Sequence, residues 1–230
     1  MNEVMGNSLF FGVMISVAAY EMGVLLKRKF KLAIFNPLLI AIAVIIVILA
    51  ITGVEYDTYN DGAKYLSYLL TPATVCLAVP LYEQLEILKK NLKAILAGIL
   101  AGALTSVTSV LILAVFFGLT QEQFVTLLPK SITTAIGMGV SEELGGIVTI
   151  TVAVIIITGV LGNMFAEAVC KIFRIEEPIA KGIGIGSASH AIGTAKAMEI
   201  GEVEGAMSSL SIAVTGILTV ILASVYAHFM

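Results

Sequence analysis

Hydroxyls, an imidazole and lysines stand beside glycine and proline at three places in this 230-residue chain. The first is Thr71-Pro-Ala-Thr-Val-Cys-Leu-Ala-Val-Pro80, where Thr71 and Thr74 lie among breakers. The second is Pro129-Lys-Ser-Ile-Thr-Thr-Ala-Ile-Gly-Met-Gly-Val-Ser-Glu-Glu143, which carries Lys130, Ser131, Thr133 and Thr134. The third is Gly182-Ile-Gly-Ile-Gly-Ser-Ala-Ser-His-Ala-Ile-Gly-Thr-Ala-Lys196, with Ser187, Ser189, His190 and Thr194. A helix broken at such a place frees N–H groups at a positive dipole end, which suits a carboxylate. Hydroxyls there can add hydrogen bonds to the same ligand. His190 can also carry a proton near neutral pH.

Each residue has a plainer explanation. His190 can be a packing histidine bonded to a neighbouring helix, although a helical segment would put Ser187, His190 and Thr194 on one face. Lys130 can anchor at the membrane interface, and Lys196, with Glu199, Glu202 and Glu204 close behind, can snorkel there. Asn163, with Gly159 and Gly162, reads as helix packing, and Glu167 as a span-end residue.

Catalysis is a poor fit. Ser189 beside His190 and Ser131 beside Lys130 are adjacent pairs, which point about 100° apart on a helix, and no third orienting group accompanies them. No His-Glu-x-x-His run is present. The expectation is a protein that is not an enzyme and needs no metal or other cofactor.

The elements that must hold these residues are apolar. The chain is 59% hydrophobic and 13% charged, with mean hydropathy +1.04. Soluble chains are about a quarter charged, so an ordinary soluble domain is excluded. The net charge of −3 gives no reason to expect nucleic acid as a partner. Cys76 and Cys170 sit in apolar runs and do not form a disulfide framework. The fold class is all-α, polytopic in a membrane.

A crossing helix needs about 20 apolar residues. Charge-free windows fall at Val4–Tyr20, Leu32–Val54, Tyr65–Tyr82, Ala94–Gln121, Leu144–Ala166 and Gly205–Met230, with a shorter one at Gly182–Ala195. The first lacks a basic leader and is followed by Lys27, Arg28, Lys29 and Lys31, so it reads as a retained span. Basic clusters at Lys27–Lys31, at Lys89, Lys90 and Lys93, and at Lys171, Arg174 and Lys181 mark the cytoplasmic side. Those assignments hold throughout if Phe124–Glu143 dips in and returns. Seven crossings plus one re-entrant element, with the C-terminus inside, are predicted.

The chain reads as one transmembrane domain, 1–230, in which 32–119 and 145–230 form two units of span, broken span, span with every sense reversed. Small residues recur at Gly98, Gly102 and Ser106 and at Gly205, Ser209 and Ala213, a spacing that lets helices approach closely. Broken segments in corresponding halves point to a carrier's binding site.

The runs Pro129–Thr134, Val140-Ser-Glu-Glu-Leu-Gly-Gly146, Ser189–Lys196 and Thr71–Tyr82 together resemble the LrgB/CidB family over nearly the whole chain. Ala135 and Glu143 depart from its pattern, where proline and glutamine are expected. The resemblance points to Glu142 rather than Glu143 as the proton-coupling carboxylate. It implies two functions. One is a holin- or antiholin-like regulator of murein hydrolase activity and autolysis, beside a small LrgA/CidA-type membrane partner. The other is a carrier of small monocarboxylates such as pyruvate, glycolate or glycerate, as in the related plastid glycolate/glycerate translocator. The concentration of Ser, Thr, His and Lys in broken segments favours the carrier, working by alternating access in the plasma membrane as a homo-oligomer. Its substrate contacts are then Thr71, Thr74, Lys130, Ser131, Thr133, Thr134, Ser187, Ser189, His190 and Thr194, with Glu142 and His190 as proton carriers.

Overall fold

The structure, a computed structural model, describes residues 10–30, 32 and 35–230. Residues 4–9 of the expected first crossing, and Lys31, lie outside them. Among the described residues all regular structure is helical. Four helical stretches among the described residues are long and apolar enough to cross a membrane: Tyr56–Glu83, Leu85–Phe117, Val148–Ile172 and Glu202–Phe229. Pro37–Thr52 is apolar but shorter. The chain divides into two compact units, 1–76 and 77–230.

The first unit holds α1 (Phe11–Phe30), α2 (Pro37–Thr52), α3 (Tyr56–Ser67) and α4 (Leu70–Cys76). Asn36 starts α2: its side-chain oxygen accepts from the N–H groups of Leu38 and Leu39, with Pro37 at the first position where no donor is needed. Gly53, at φ 68°, ends it. Close approach holds α1 to its neighbours, since a Cβ on Gly12 would strike the α3 backbone at Tyr59 and Ala63, and one on Gly23 would reach Pro37. The hydroxyls of Ser16 and Tyr59 meet at 2.7 Å across the same contact.

The second unit begins with α5 (Ala78–Glu83) and the long α6 (Leu85–Phe117). Pro72 and Pro80 each fall in the first turn of a short helix, α4 and α5, where a missing N–H costs little. After α6, Gly118 in the left-handed conformation and a Thr120–Gln123 capping box turn the chain into α7 (Gln121–Leu127). Residues 128–133 are not helical, and α8 (Thr134–Glu143) follows. This segment is a hairpin. Its tip residue Ser131 accepts from Ser106 Oγ at 3.0 Å, about 17 Å along α6 from Phe117. Its exit returns to Thr126, whose Oγ1 accepts the Ile147 N–H at 2.8 Å just before α9 (Val148–Ile172) starts. Thr151 Oγ1 closes the base, 2.9 Å from Thr126 O and 2.7 Å from Ser141 Oγ. The segment therefore enters and leaves at the C-terminal end of α6, as the charge pattern of the neighbouring loops requires.

The next element departs from expectation. Residues Pro178–Ile200 form α10, interrupted at His190 by φ 43°, ψ −144°. A Cβ on Gly193 would lie 3.3 Å from Ile185 O, whereas eight residues of straight helix would separate them by about 12 Å. Ile185 and Ala197 also share one apolar cluster with Ala166. The two arms thus run antiparallel, and each, at about 18 Å or less, is too short to cross some 30 Å of hydrocarbon. The predicted crossing over Gly182–Ala195 is a second hairpin, because a single left-handed residue reverses the chain.

This reversal also moves the C-terminus. The last helix, α11 (Glu202–Tyr226), starts at the base of the second hairpin, where Lys196 pairs with Glu167 near the end of α9, and runs to the C-terminal end of α6. There Thr108 Oγ1 and Tyr226 OH meet at 2.7 Å, and Gln121 Nε2 donates to Ala227 O at 2.6 Å. The C-terminus therefore lies at the end opposite Lys89, Lys90, Lys93, Lys171, Arg174 and Lys181, rather than beside them as expected. Two larger apolar clusters also hold the unit. One, around Phe124, Val125, Leu128 and Ile132, packs the first hairpin on Val107, Val110 and Ala114 of α6. The other sets Ile183 of α10 against Ile95 and Ile99 of α6 and Met207 of α11.

Candidate functional site

The two hairpin tips come to neighbouring turns of one helix. Gly98 of α6 faces Ile183, and Gly102 faces Ser187, whose Oγ would lie 2.7 Å from a Cβ there. One turn on, Ser106 holds Ser131. The small-residue row Gly98, Gly102, Ser106 thus positions the second hairpin with its first two members and the first hairpin with its last. In the row Gly205, Ser209, Ala213, by contrast, Ala213 is exposed, and the buried stripe on α11 is Ser208, Ser211, Thr215 and Thr219.

At the first tip, Lys130 is half-buried and donates from Nζ to Ser131 Oγ at 2.9 Å. No carboxylate lies within ion-pair distance of it among the described residues. Thr133 takes the N-cap position of α8 without bonding any of the helix's free N–H groups, and Thr134 and Ala135 open the first turn. An unpaired ammonium beside an uncapped helix N-terminus is an anion-attracting arrangement. Glu142 sits on the exposed side of α8, away from the buried hydroxyls of this hairpin's base.

At the second tip, His190 is buried and its Nε2 lies 2.9 Å from Ile155 O. A carbonyl only accepts, so Nε2 carries the proton. Close contact fixes the ring: Gly159 leaves room for it, and Gly162 leaves room for Ser189, where any Cβ would collide. Asn163 Nδ2 donates to Ile192 O at 2.8 Å. Thr194 Oγ1 donates to His190 O at 3.0 Å and meets Ser208 Oγ of α11 at 2.7 Å. Ser187 donates to Ile183 O and faces α6. Ser187, His190 and Thr194 therefore do not form the single stripe that a continuous helix would give, because the reversal at His190 sends them to α6, α9 and α11 respectively.

Thr71 and Thr74 belong to the first unit, where both are exposed and Thr74 Oγ1 donates back to Leu70 O at 2.8 Å. Lys196 pairs with Glu167 at 2.5 Å and Glu199 at 3.1 Å, so its charge is already matched. Sequence reasoning passed over Ser106 as a polar contact, Thr126, Ser141 and Thr151 at the first hairpin's base, and the hydroxyl stripe of α11. That stripe's spacing, 208, 211, 215, 219, was a helical-face signal.

The LrgB-like family matches over residues 16–229. The chain belongs to it. LrgB-like relatives in Bacillus mycoides, Bacillus cereus and Bacillus anthracis, each named "Antiholin-like protein LrgB", are 39% identical over 221 residues, covering 96% of this chain and 96% of each relative. No solved structure matches this LrgB-like chain. Family membership and the apolar helices make it a helical membrane protein.

Proposed function

We propose that this LrgB-like protein is an antiholin-like regulator in the plasma membrane, modulating murein hydrolase activity and autolysis. The observation that carries this reading is the 39% identity to antiholin-like proteins across 96% of the chain. A non-catalytic role agrees with the residues at the hairpin tips, which pair with backbone and hydroxyls rather than as nucleophile and base. The basic end of the second unit then faces the cytoplasm. Its α6, α9 and α11 cross, and the two hairpins enter from opposite sides, part of a multi-pass arrangement that assembles with itself and with a small LrgA/CidA-type membrane protein. The test is complementation of a bacterium lacking its own LrgB-type protein: autolysis should slow on expression, and unchanged lysis and hydrolase activity would reject the regulator.

A second reading, a carrier of small 2-oxo or 2-hydroxy monocarboxylates by alternating access, is favoured by one specific observation. Two hairpins of opposite sense bring broken helix ends, hydroxyls and an unpaired lysine to adjacent turns of α6, the form that binding sites take in inverted-repeat carriers. Uptake of labelled pyruvate, glycolate or glycerate into liposomes should saturate and show counterflow. Leakage of an unrelated neutral solute of similar size would instead indicate a pore. The two readings are compatible, since altered acid flux can itself govern lysis.

A further inference from the structure

We infer that the exposed face of α6 nearest its start docks an anionic phospholipid, with Lys89, Lys90 and Lys93 on the headgroup and a leucine-edged furrow along one acyl chain. Neither functional reading is needed for this. Helix α6 has 33 residues, about 50 Å, against about 30 Å of hydrocarbon. Its stretch 94–117 carries no charge, and the three lysines stand just before it. Lys93 is therefore at headgroup depth, with Lys89 and Lys90 one turn further out. All three are exposed, and no carboxylate lies within ion-pair distance of any of them among the described residues. Glu86, the one acidic residue of α6, is exposed a turn beyond Lys90.

Below the lysines two rows run side by side down the helix. Leu92, Leu96, Leu100 and Leu104 recur every four residues and are all exposed. The row from Lys93 continues through Ala97, Ala101 and Thr105, also exposed. The next row round the helix holds Gly98 and Gly102, which Ile183 and Ser187 of α10 cover. The alanine row is thus a furrow, with leucines on one side and the second hairpin on the other. From Lys93 to Thr105 it runs about 18 Å, close to the roughly 15 Å of one leaflet. An acyl chain fits that length, and the phosphate heading it meets three unpaired ammonium groups, each of which adds attraction. A zwitterionic lipid, whose own ammonium offsets its phosphate, gains far less. A protein helix laid in the furrow would have to bring carboxylates to that end, whereas a phospholipid carries its phosphate at the right depth.

The chain has no tryptophan, so a single introduced one reports its own lipid neighbours. Leu96→Trp places it on the ridge beside the furrow, and Ile112→Trp, exposed toward the other end of α6, is the control. Each full-length variant is reconstituted in vesicles of equal phosphatidylglycerol and phosphatidylcholine, with one lipid or the other brominated in its chains. Quenching should show phosphatidylglycerol enriched about fivefold or more at position 96, and not at 112. Combining Lys89→Gln, Lys90→Gln and Lys93→Gln should remove the enrichment, and raised salt should reduce it. The three corresponding Lys→Arg changes should keep it. Ile112→Trp in the glutamine background should be quenched as before, which checks that this variant is folded. Equal quenching by the two lipids at position 96, or enrichment that survives the glutamines, overturns the inference. Quenching by neither lipid there would mean that protein covers the furrow, and overturns it too.

Discussion

The two hairpins of the second unit have the same plan and opposite character. The first turns through six non-helical residues, 128–133, and carries a charge at its tip that no carboxylate among the described residues matches. The second turns on one residue, His190, and is clamped by Gly159 and Gly162 of α9, with its imidazole bonded to Ile155 O. A wide polar loop leaves donors available to a ligand, whereas a tight turn spends its donors on its neighbours. The difference is one of commitment: the second tip's imidazole is spent on holding its hairpin to α9, and the first tip's ammonium has no such duty. His190 Nε2 is bonded to the α9 backbone, and Lys130 bonds only the neighbouring Ser131 hydroxyl.

The strongest way to break the comparison is to add bulk at each hairpin. Gly162→Val should cost about 3 kcal/mol or more, since its first carbon already collides with Ser189 and two helices must part. Gly139→Ala in α8, where a Cβ meets nothing within 4 Å, should cost nothing and raise stability by up to about 1 kcal/mol, since alanine favours a helix over glycine. Melting of the two variants in the same detergent is the measurement, and equal losses would show that the second hairpin is no tighter than the first.

Removing the tip side chains is the next largest contrast. His190→Ala should lose about 2 kcal/mol, combining the bond to Ile155 O with the space left by the ring. His190→Gly should melt above His190→Ala, because glycine accepts φ 43° without the strain of about 1 kcal/mol or more that other residues bear. Lys130→Met should melt within about 1 kcal/mol of the parent, since the ammonium forms no ion pair among the described residues and gives up one bond to Ser131. A large loss from Lys130→Met, with none from His190→Ala, would reverse the roles assigned to the tips.

Much of this architecture was legible in the residues. Charge-free windows marked α2, α6, α9 and α11, and the lysine clusters required Phe124–Glu143 to return to its own side, which the Ile147–Thr126 bond fulfils. The reversal at His190 was not legible, because Gly182–Lys196 contains glycines throughout but none at the turning position. A non-glycine residue at positive φ is set by tertiary contacts, here with Ile155, Gly159 and Gly162, which lie far away in sequence. For the same reason Ser187, His190 and Thr194 were placed on one face.

The smallest effect belongs to the base of the second hairpin, where Lys196 joins Glu167 of α9 and Glu199 of its own arm. The lysine is 17% exposed, but the two carboxylates are 62% and 53% exposed, so water screens most of the attraction. Pairs of this kind are worth about 0.2–1 kcal/mol, too little to hold the hairpin closed against its apolar contacts with Ala166 and Ile185. Lys196→Met should therefore lower the melting temperature only slightly, and the difference should shrink as salt is raised. Hydrogen exchange should respond more clearly, with faster exchange confined to Ala191–Ile200 while the tip at Ser189 and His190 stays protected by α9. Exchange that spreads through the tip on loss of Lys196 would mean that the ion pairs, rather than the glycine contacts, keep the second hairpin rigid.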